Sequence, residues 1–215
     1  MSGAATVRRT CVKVCGLTRL EDARLALEAG ADWLGFVVAG ESPRGLSADA
    51  AGDIAAALPG ATVVAVMVAP SPDEAMVLAA RAGARRVQLH RVDPARWPRD
   101  FPLPVCFAVP VETDGRLAVA LPPAGALVLL DTAHPTLAGG SGKTFPWPAA
   151  AALSASRDIV LAGGLDPGNV EDAIERVHPF GVDASSRLER APGIKDPDLV
   201  RRFVAAVRRA DAVRA

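Results

Sequence analysis

The sequence predicts an α/β protein with a single (β/α)8 TIM barrel, because short apolar runs alternate with alanine-rich helical stretches along all 215 residues. Strands in such an alternation are parallel, since a helix carries the chain back to the same edge of the sheet. Eight units of this kind favour a closed barrel over an open sheet. The eight predicted strands cover residues 12–15, 33–38, 62–68, 86–90, 105–109, 126–131, 159–162 and 181–184.

Signals for the start of a helix follow most of these strands. Thr18 and Glu21 have the spacing of a capping box, which predicts a helix over residues 19–29. Asp166, followed by a proline, has the pattern of an N-cap and predicts a helix directly after strand seven. Further helices are expected after Ser47, from Ser71 and from about Asp196, whereas the segments 93–100 and 113–123 are poorly helical.

The composition is that of one globular domain. Half of the residues are hydrophobic and 22% are charged, and no linker or change in composition divides the chain. We therefore expect one barrel domain over residues 1–215, in which residues 1–10 form a loose N-terminal extension.

Charge and hydropathy limit the expected partners. The net charge is zero and aromatic residues make up 4%, so neither a basic surface nor stacking side chains indicate nucleic acid. No apolar run reaches the roughly 18 residues of a membrane span. The three cysteines form no paired framework, which favours free thiols and a reducing cytoplasmic location.

The first strand has a cation and a thiol on one face. Lys13 and Cys15 alternate with Val12 and Val14, and the valines suit the side that faces the helices. Lys13 and Cys15 therefore point into the barrel, with Cys15 at the strand end where barrel enzymes have their active sites. A nearby cation lowers the pKa of a thiol. The alternative is that Cys15 is a small buried hydrophobic residue.

Two further strands end in polar side chains. Gln88 and His90 share a face of strand four, and Asp131 closes the apolar run of strand six. Burial raises the pKa of a carboxyl group, as a general acid requires near neutral pH. The alternatives are a hydrogen-bonded core network for Gln88 and His90, and a turn cap for Asp131.

The loops after strands seven and eight have the composition of a phosphate site. Gly163 and Gly164 allow the backbone to approach an anion, and Ser185 and Ser186 add hydroxyl donors. Phosphate sites in such barrels use these two loops. After strand two, Arg44 has the chemistry to bind a carboxylate through two hydrogen bonds, although its spacing alone favours a solvated surface arginine.

The glycine-rich segment after strand six differs from a nucleotide-binding P-loop. A Walker motif has a glycine five positions before the glycine of its Gly-Lys pair, and Leu137 occupies that place before Gly142. We therefore expect a flexible lid that includes Gly140 rather than an ATP site.

Several segments, in order from about residue 12 to the end, resemble the phosphoribosylanthranilate isomerase family. They are KVCGLT at 13–18, SPR at 42–44, VQLH at 87–90, LDT at 130–132, GGSGKTF at 139–145, LAGGL at 161–165, GVD with the following Ser-Ser at 181–186, and PGIKD at 192–196.

The resemblance implies an enzyme of tryptophan biosynthesis that uses no metal or other cofactor. The partner that it implies is a small phosphorylated molecule. Its reaction is the Amadori rearrangement of N-(5′-phosphoribosyl)anthranilate to 1-(2-carboxyphenylamino)-1-deoxyribulose 5-phosphate. Asp131 is implied as the general acid and Cys15 as the general base, and Arg44 as the ligand of the anthranilate carboxylate. The implied substrate-binding residues are Lys13, Arg44, Gln88, His90, Gly140, Gly163, Gly164, Asp183, Ser185 and Ser186.

The chain departs from the common family pattern at a few positions. Arg91 and Arg187 stand where glycine is usual, and Gly45 and Pro146 are also atypical. Arg187 adjoins the expected phosphate site. Two alternatives therefore stay open: a related barrel isomerase for another phosphorylated aminosugar, and a non-catalytic phosphometabolite-binding protein. The sequence also leaves open whether the chain is a monomer or a homodimer.

Overall fold

Eight parallel strands form a closed barrel in chain order, and β1 pairs with β8 to complete it. A computed structural model describes residues 8–132 and 145–214 of the chain. The strands are β1 Cys11–Cys15, β2 Trp33–Ala39, β3 Thr62–Val68, β4 Arg86–His90, β5 Val105–Val111, β6 Leu127–Thr132, β7 Ile159–Leu161 and β8 Gly181–Ala184. The predicted (β/α)8 barrel is therefore confirmed.

An α-helix follows every barrel strand of the described residues except β4 and β5. The α-helices of the described residues are α1 Leu20–Ala29, α2 Ala48–Ala56, α3 Pro72–Arg81, α4 Pro148–Ser154, α5 Val170–Val177 and α6 Pro197–Arg214. No α-helix lies in the connections 91–104 and 112–126, as their weak helical signals predict. After β8, a 3₁₀ turn at Ser186–Leu188 leads into the antiparallel strands β9 Glu189–Ala191 and β10 Ile194–Lys195.

The helices expected after Ser47 and from Ser71 form, whereas the two caps predicted at Thr18 and Asp166 do not start α1 and α5. Ser47 accepts a hydrogen bond from the backbone of Ala50, and Ser71 forms a capping box with Glu74. The predicted cap at Thr18 is wrong, because its hydroxyl donates to the carbonyl of Gly193 at 2.6 Å instead. The predicted start at Asp166 is also wrong. Its carboxylate accepts from the backbone of Gly168 in a turn, and α5 begins later, at Val170.

The N-terminal segment is anchored to the barrel from residue 8 onward. Thr10 is buried, and its backbone N–H and its hydroxyl both donate to the carboxylate of Asp211 on α6. Arg8 pairs with Asp158 at 2.9 Å. The expectation of a loose extension is therefore wrong for residues 8–10, and residues 1–7 lie outside the described part of the chain.

The apolar core has two layers, as the alternation of side chains along the strands requires. Val12 and Val14 pack between the sheet and the helices. The second layer fills the barrel and consists of Cys15, Trp33, Val64, Val66, Cys106, Leu129, Val160 and Ala162. Cys11, Cys15 and Cys106 are free thiols. Among the described helices, none combines the length and hydropathy needed to cross a membrane.

Candidate active site

Lys13 forms a buried ion pair inside the barrel. The register of β1 and β8 places Lys13 beside Asp183, and its Nζ donates to both carboxylate oxygens at 3.1 Å. The two side chains are only 2% and 8% exposed. Burial alone would lower the pKa of Lys13, but the negative charge of Asp183 raises the pKa above its usual value, so the ammonium group stays protonated. The lysine predicted to point inward therefore does so as a cation.

Cys15 lies next to this ion pair at the C-terminal end of β1. Burial raises the pKa of the Cys15 thiol, Lys13 opposes this increase through its charge and a hydrogen bond, and Asp183 adds to it. Lys13 thus lowers the pKa of Cys15 as the sequence predicts, but desolvation outweighs the effect of the cation and the charge of Asp183 adds to the increase. The Cys15 thiol is therefore mostly protonated at neutral pH, and its thiolate is a stronger base than that of an ordinary cysteine.

Gly35 on β2 provides the space in which the thiol and the ammonium group meet. A Cβ atom at Gly35 would lie 2.7 Å from Sγ of Cys15 and 3.0 Å from Nζ of Lys13. Such distances require the neighbouring atoms to move, and the third close atom, Cα of Cys15 at 3.1 Å, belongs to the backbone. The close approach of Cys15 and Lys13 therefore depends on glycine at this position.

Gly35→Ala is expected to lower kcat by roughly 10- to 100-fold, because a displacement of about 1 Å in a catalytic group has effects of this size. The measurement is steady-state turnover together with thermal unfolding. Gly60→Ala is the control, because its positive φ of +88° strains the turn while no atom beyond its two chain neighbours lies within 4 Å of the new methyl group. The control is expected to lose stability but not turnover. A Gly35→Ala enzyme with normal kcat would contradict the role given to this packing.

Asp131 has the environment of a general acid. It lies near the end of β6 with 9% of its surface exposed, and its Oδ1 accepts a hydrogen bond from the backbone N–H of Thr132 at 2.8 Å. The pKa of Asp131 is raised to about 7. Burial is the largest cause, and the negative charge of Asp183 is the second largest. About half of the carboxyl groups are then protonated at neutral pH, as the predicted acid requires.

The acid and the predicted phosphate site line one cavity. Its walls are Asp131, residues 162–165 after β7 and residues 183–187 at the end of β8. Gly163 has a positive φ of +84°, and a Cβ there would lie 2.5 Å from Oγ1 of Thr132 and 3.2 Å from Oδ1 of Asp131. Only glycine therefore fits between the acid and the cavity. Gly163, Gly164, Ser185 and Ser186 meet around this space as predicted.

Gln88 and His90 form a polar pair inside the barrel. Nε2 of Gln88 lies 2.9 Å from Nε2 of His90, and both residues are buried. Burial, with added repulsion from Lys13 and Arg91, lowers the pKa of His90 to about 4. The imidazole is therefore neutral at neutral pH, and the pair can act in hydrogen bonding rather than as a cation. This is the hydrogen-bonded network that the sequence left open.

Arg44 is not the solvated surface arginine that its spacing favoured. Its side chain is 15% exposed, and Nε and Nη2 donate to the two carboxylate oxygens of Glu189 at 2.9 and 2.8 Å. Arg44 and Ser185 both pack against Gly16, where a Cβ atom would lie 2.5 Å from Cδ of Arg44 and 2.7 Å from Oγ of Ser185. The structure thus brings Arg44 beside Gly16, the residue after Cys15, and beside Ser185 of the predicted phosphate site.

Glu189 and Lys195 were missed as site residues in the sequence. Nζ of Lys195 donates to Glu189 at 2.8 Å and to the carbonyl oxygen of Ser185 at 3.1 Å. Lys195 belongs to the PGIKD segment that supported the resemblance, which was the available signal, but nothing in the sequence indicates that its side chain is buried. Gly140 and the predicted lid, in contrast, fall outside the described residues.

The fold and the site together define a TIM-barrel protein with a buried thiol and a protonatable carboxyl at the C-terminal ends of two strands, and with a cavity lined by glycines and serines beside the carboxyl. The chain matches the family model described as N-(5′-phosphoribosyl)anthranilate (PRA) isomerase over residues 12–206. It belongs to this family, and the predicted enzyme class, an isomerase, is confirmed.

Relatives and solved structures agree with this assignment over nearly the whole chain. The N-(5′-phosphoribosyl)anthranilate isomerase of Rubrobacter xylanophilus is 44% identical, over 92% of this chain and 98% of the relative. The crystal structure of the enzyme from Thermotoga maritima is 36% identical with a TM-score of 0.82, covering 93% of this chain and 98% of the other. A phosphoribosyl anthranilate isomerase in complex with reduced 1-(o-carboxyphenylamino)-1-deoxyribulose 5-phosphate is 32% identical with a TM-score of 0.78, at the same two coverages.

Proposed function

We propose that Cys15 and Asp131 catalyse the isomerisation of N-(5′-phosphoribosyl)anthranilate in tryptophan biosynthesis, the reaction that gives the family its name. The product is 1-(2-carboxyphenylamino)-1-deoxyribulose 5-phosphate. The observation that carries the proposal is the shared cavity, in which a half-protonated carboxyl at Asp131 faces the predicted phosphate site of β7 and β8.

Asp131 performs the first step by proton transfer to the ribose ring oxygen. The bond between this oxygen and C1′ then breaks, and the electron pair of the anthranilate nitrogen forms a protonated Schiff base with C1′. Asp131 becomes a carboxylate, which the nearby Lys13 stabilises electrostatically. A carboxyl with a pKa of about 7 is well matched to this transfer because it is neither fully ionised nor a poor donor at neutral pH.

Cys15 performs the second step as the general base. Its thiolate removes the proton from C2′, and the electron pair left on C2′ moves to the C1′–C2′ bond and neutralises the iminium nitrogen. The resulting enolamine then loses its hydroxyl proton and gains a proton at C1′, which produces the ketone. Lys13 stabilises the thiolate that this step requires, through its charge and its hydrogen bond to Cys15.

The two ends of the substrate are anions, and the site has a cationic or N–H-rich region for each. The phosphate is bound by Gly163, Gly164, Ser185 and Ser186, and the anthranilate carboxylate by Arg44. Gln88, His90 and Asp183 supply further polar contacts inside the barrel mouth. A cytoplasmic location is part of the proposal and is supported by the three free thiols.

The proposal is tested by turnover and by complementation. Loss of the substrate's anthranilate fluorescence on addition of the folded protein, and rescue of a tryptophan auxotroph that lacks the isomerase, are the expected results. A folded preparation without turnover would refute the proposal. It would favour a phosphometabolite-binding protein or a related isomerase of another phosphorylated aminosugar. The related isomerase is motivated by Arg91 and by Arg187, which lines the cavity.

The pH dependence of kcat/KM is expected to show reversed protonation. The reactive form has a protonated Asp131 and an ionised Cys15, yet the pKa of Asp131 is about 7 and burial raises that of Cys15 above its usual value. Below about pH 7, kcat/KM rises with pH because the thiolate fraction grows. Above this pH the protonated fraction of Asp131 falls as fast as the thiolate fraction of Cys15 grows, so kcat/KM stays level. It falls only above the pKa of Cys15, where the thiolate fraction no longer grows.

A profile of kcat/KM from about pH 5 to about pH 10 checks this expectation. The break near pH 7 is assigned to the loss of the Asp131 proton and is expected to disappear in Asp131→Asn, so that the small remaining rate keeps rising with pH until Cys15 ionises. A profile that begins to fall at about pH 7 would contradict the order of the two pKa values.

A further inference from the structure

We infer that Glu189 is a positioning residue that orients Arg44 for the carboxylate of the substrate. The inference rests on the proposed function, because it assigns a partner to the arginine proposed to bind the anthranilate group. Glu189 lies on β9, outside the barrel strands, and its side chain is only 4% exposed. A buried carboxylate at this place requires cations around it, and within residues 8–132 and 145–214 Arg44 and Lys195 pair with it.

The hydrogen bonds of Glu189 use one edge of the guanidinium group and leave another edge available. Nε and Nη2 of Arg44 both donate to Glu189, which fixes the plane of the group through a bidentate contact. A guanidinium group has about five N–H donors, so Nη1 and the second N–H of Nη2 remain. Within residues 8–132 and 145–214 no group hydrogen-bonds to Nη1, and this nitrogen is in contact with solvent. A second carboxylate can therefore bind end-on in the same plane.

Lys195 determines the net charge of this arrangement. Its Nζ donates to Glu189 at 2.8 Å, so two cations surround one carboxylate and one positive charge remains for a ligand. Burial alone would raise the pKa of Glu189, but the hydrogen bonds from Arg44 and Lys195 hold that pKa below its usual value. Glu189 is therefore ionised at neutral pH and orients Arg44 without cancelling the attraction of the site for an anion.

The same network connects Arg44 to the phosphate site. Lys195 also donates to the carbonyl oxygen of Ser185 at 3.1 Å, and the side chains of Ser185 and Arg44 share the space beside Gly16. Glu189 thus sets the position of the carboxylate-binding edge relative to the phosphate-binding loop. A ligand that carries both anions benefits from this fixed spacing, whereas a ligand with the phosphate alone does not.

The test compares two ligands that differ by the carboxylate. One is reduced 1-(o-carboxyphenylamino)-1-deoxyribulose 5-phosphate, and the other is the same molecule with phenyl in place of carboxyphenyl. Glu189→Gln is expected to raise the Kd of the carboxylated ligand by roughly three- to tenfold, since an arginine that must be ordered on binding costs about this much. The Kd of the phenyl ligand is expected to stay within about twofold.

Each other outcome overturns the inference. Tighter binding of the carboxylated ligand would show that Glu189 acts as a competing anion, and an equal loss for both ligands would show a general structural role. Unchanged affinity for both would show that Arg44 does not need Glu189. If Glu189→Gln does not fold, Glu189→Asp carries the same expectation, because its shorter side chain cannot span both nitrogens of Arg44.

Two controls separate this inference from neighbouring explanations. In an Arg44→Lys background, which has no guanidinium plane to orient, Glu189→Gln is expected to change neither Kd by more than about twofold. Glu171→Gln removes a carboxylate from an exposed pair with Arg209 on the outer helices, and both Kd values are expected to stay at the wild-type level.

Turnover by the wild-type protein tests the proposed function separately. Its absence refutes that function, whereas turnover with an unchanged ratio of Kd values refutes the inference alone.

Discussion

Asp131→Asn is expected to lower kcat by roughly 10²- to 10⁴-fold while the barrel stays folded. The amide cannot deliver a proton to the ribose ring oxygen, so ring opening loses its acid. The fold is expected to persist because the amide oxygen can still accept the hydrogen bond that Oδ1 receives from the backbone of Thr132. The substitution also removes a carboxyl group whose charged form is disfavoured by burial. This change is expected to raise the free energy of unfolding rather than to lower it.

Steady-state turnover, with circular dichroism to check folding, tests this expectation. Asp211→Asn is the matched control. Asp211 is also a largely buried carboxylate, but it lies on the outer helix α6 and accepts a hydrogen bond from Thr10. The control is expected to keep wild-type kcat. An Asp131→Asn enzyme that retains near-normal turnover would exclude Asp131 as the acid.

Cys15→Ser is expected to reduce kcat by a similar factor, roughly 10²- to 10⁴-fold, for a different chemical reason. A serine hydroxyl does not ionise at accessible pH, so even the nearby charge of Lys13 cannot produce a base at this position. Ring opening by Asp131 remains possible in this variant. Removal of the C2′ proton then becomes fully rate-limiting, and a substrate deuterated at C2′ is expected to react several-fold more slowly.

Cys11→Ser provides the control for the same chemical change on the same strand. Cys11 begins β1 and is partly exposed, whereas Cys15 ends it inside the barrel. The Cys11 variant is expected to turn over substrate normally. If Cys15→Ser keeps its rate, or loses it without an isotope effect at C2′, the assignment of Cys15 as the base of the second step is wrong.

The strands could be predicted from the sequence because burial on both faces leaves a continuous apolar run. The predicted bounds of β3, β4 and β8 agree with the structure, and the other strands differ at their ends by one or two residues. Cys15 and Asp131 could be predicted for the same reason, since a polar residue that closes an apolar run must lie at the mouth of the barrel. Their positions also indicated a general acid at Asp131 and a thiol tuned by Lys13, whereas the steps that each residue performs came from the family resemblance.

Features that depend on contacts distant in sequence could not be predicted in this way. Thr18 has the local pattern of a cap, but its hydroxyl binds Gly193, which is 175 residues away. Glu189 and Lys195 look like ordinary surface charges, and their burial follows from the pairing of β9 with β10 and from their contacts with Arg44 and Ser185. The net pKa of Cys15 likewise depends on Asp183, which lies on a strand near the other end of the chain.

The ion pair of Lys13 and Asp183 joins residues that are 170 positions apart, and this separation matters during synthesis. At roughly 5–20 residues per second, β1 leaves the ribosome on the order of 10 to 30 s before β8 can pair with it. Throughout that interval Cys15 is not yet enclosed, so the burial that raises its pKa is missing and the thiol ionises as readily as any other. The nascent chain, rather than the finished enzyme, is therefore the form in which this cysteine is most vulnerable to oxidants.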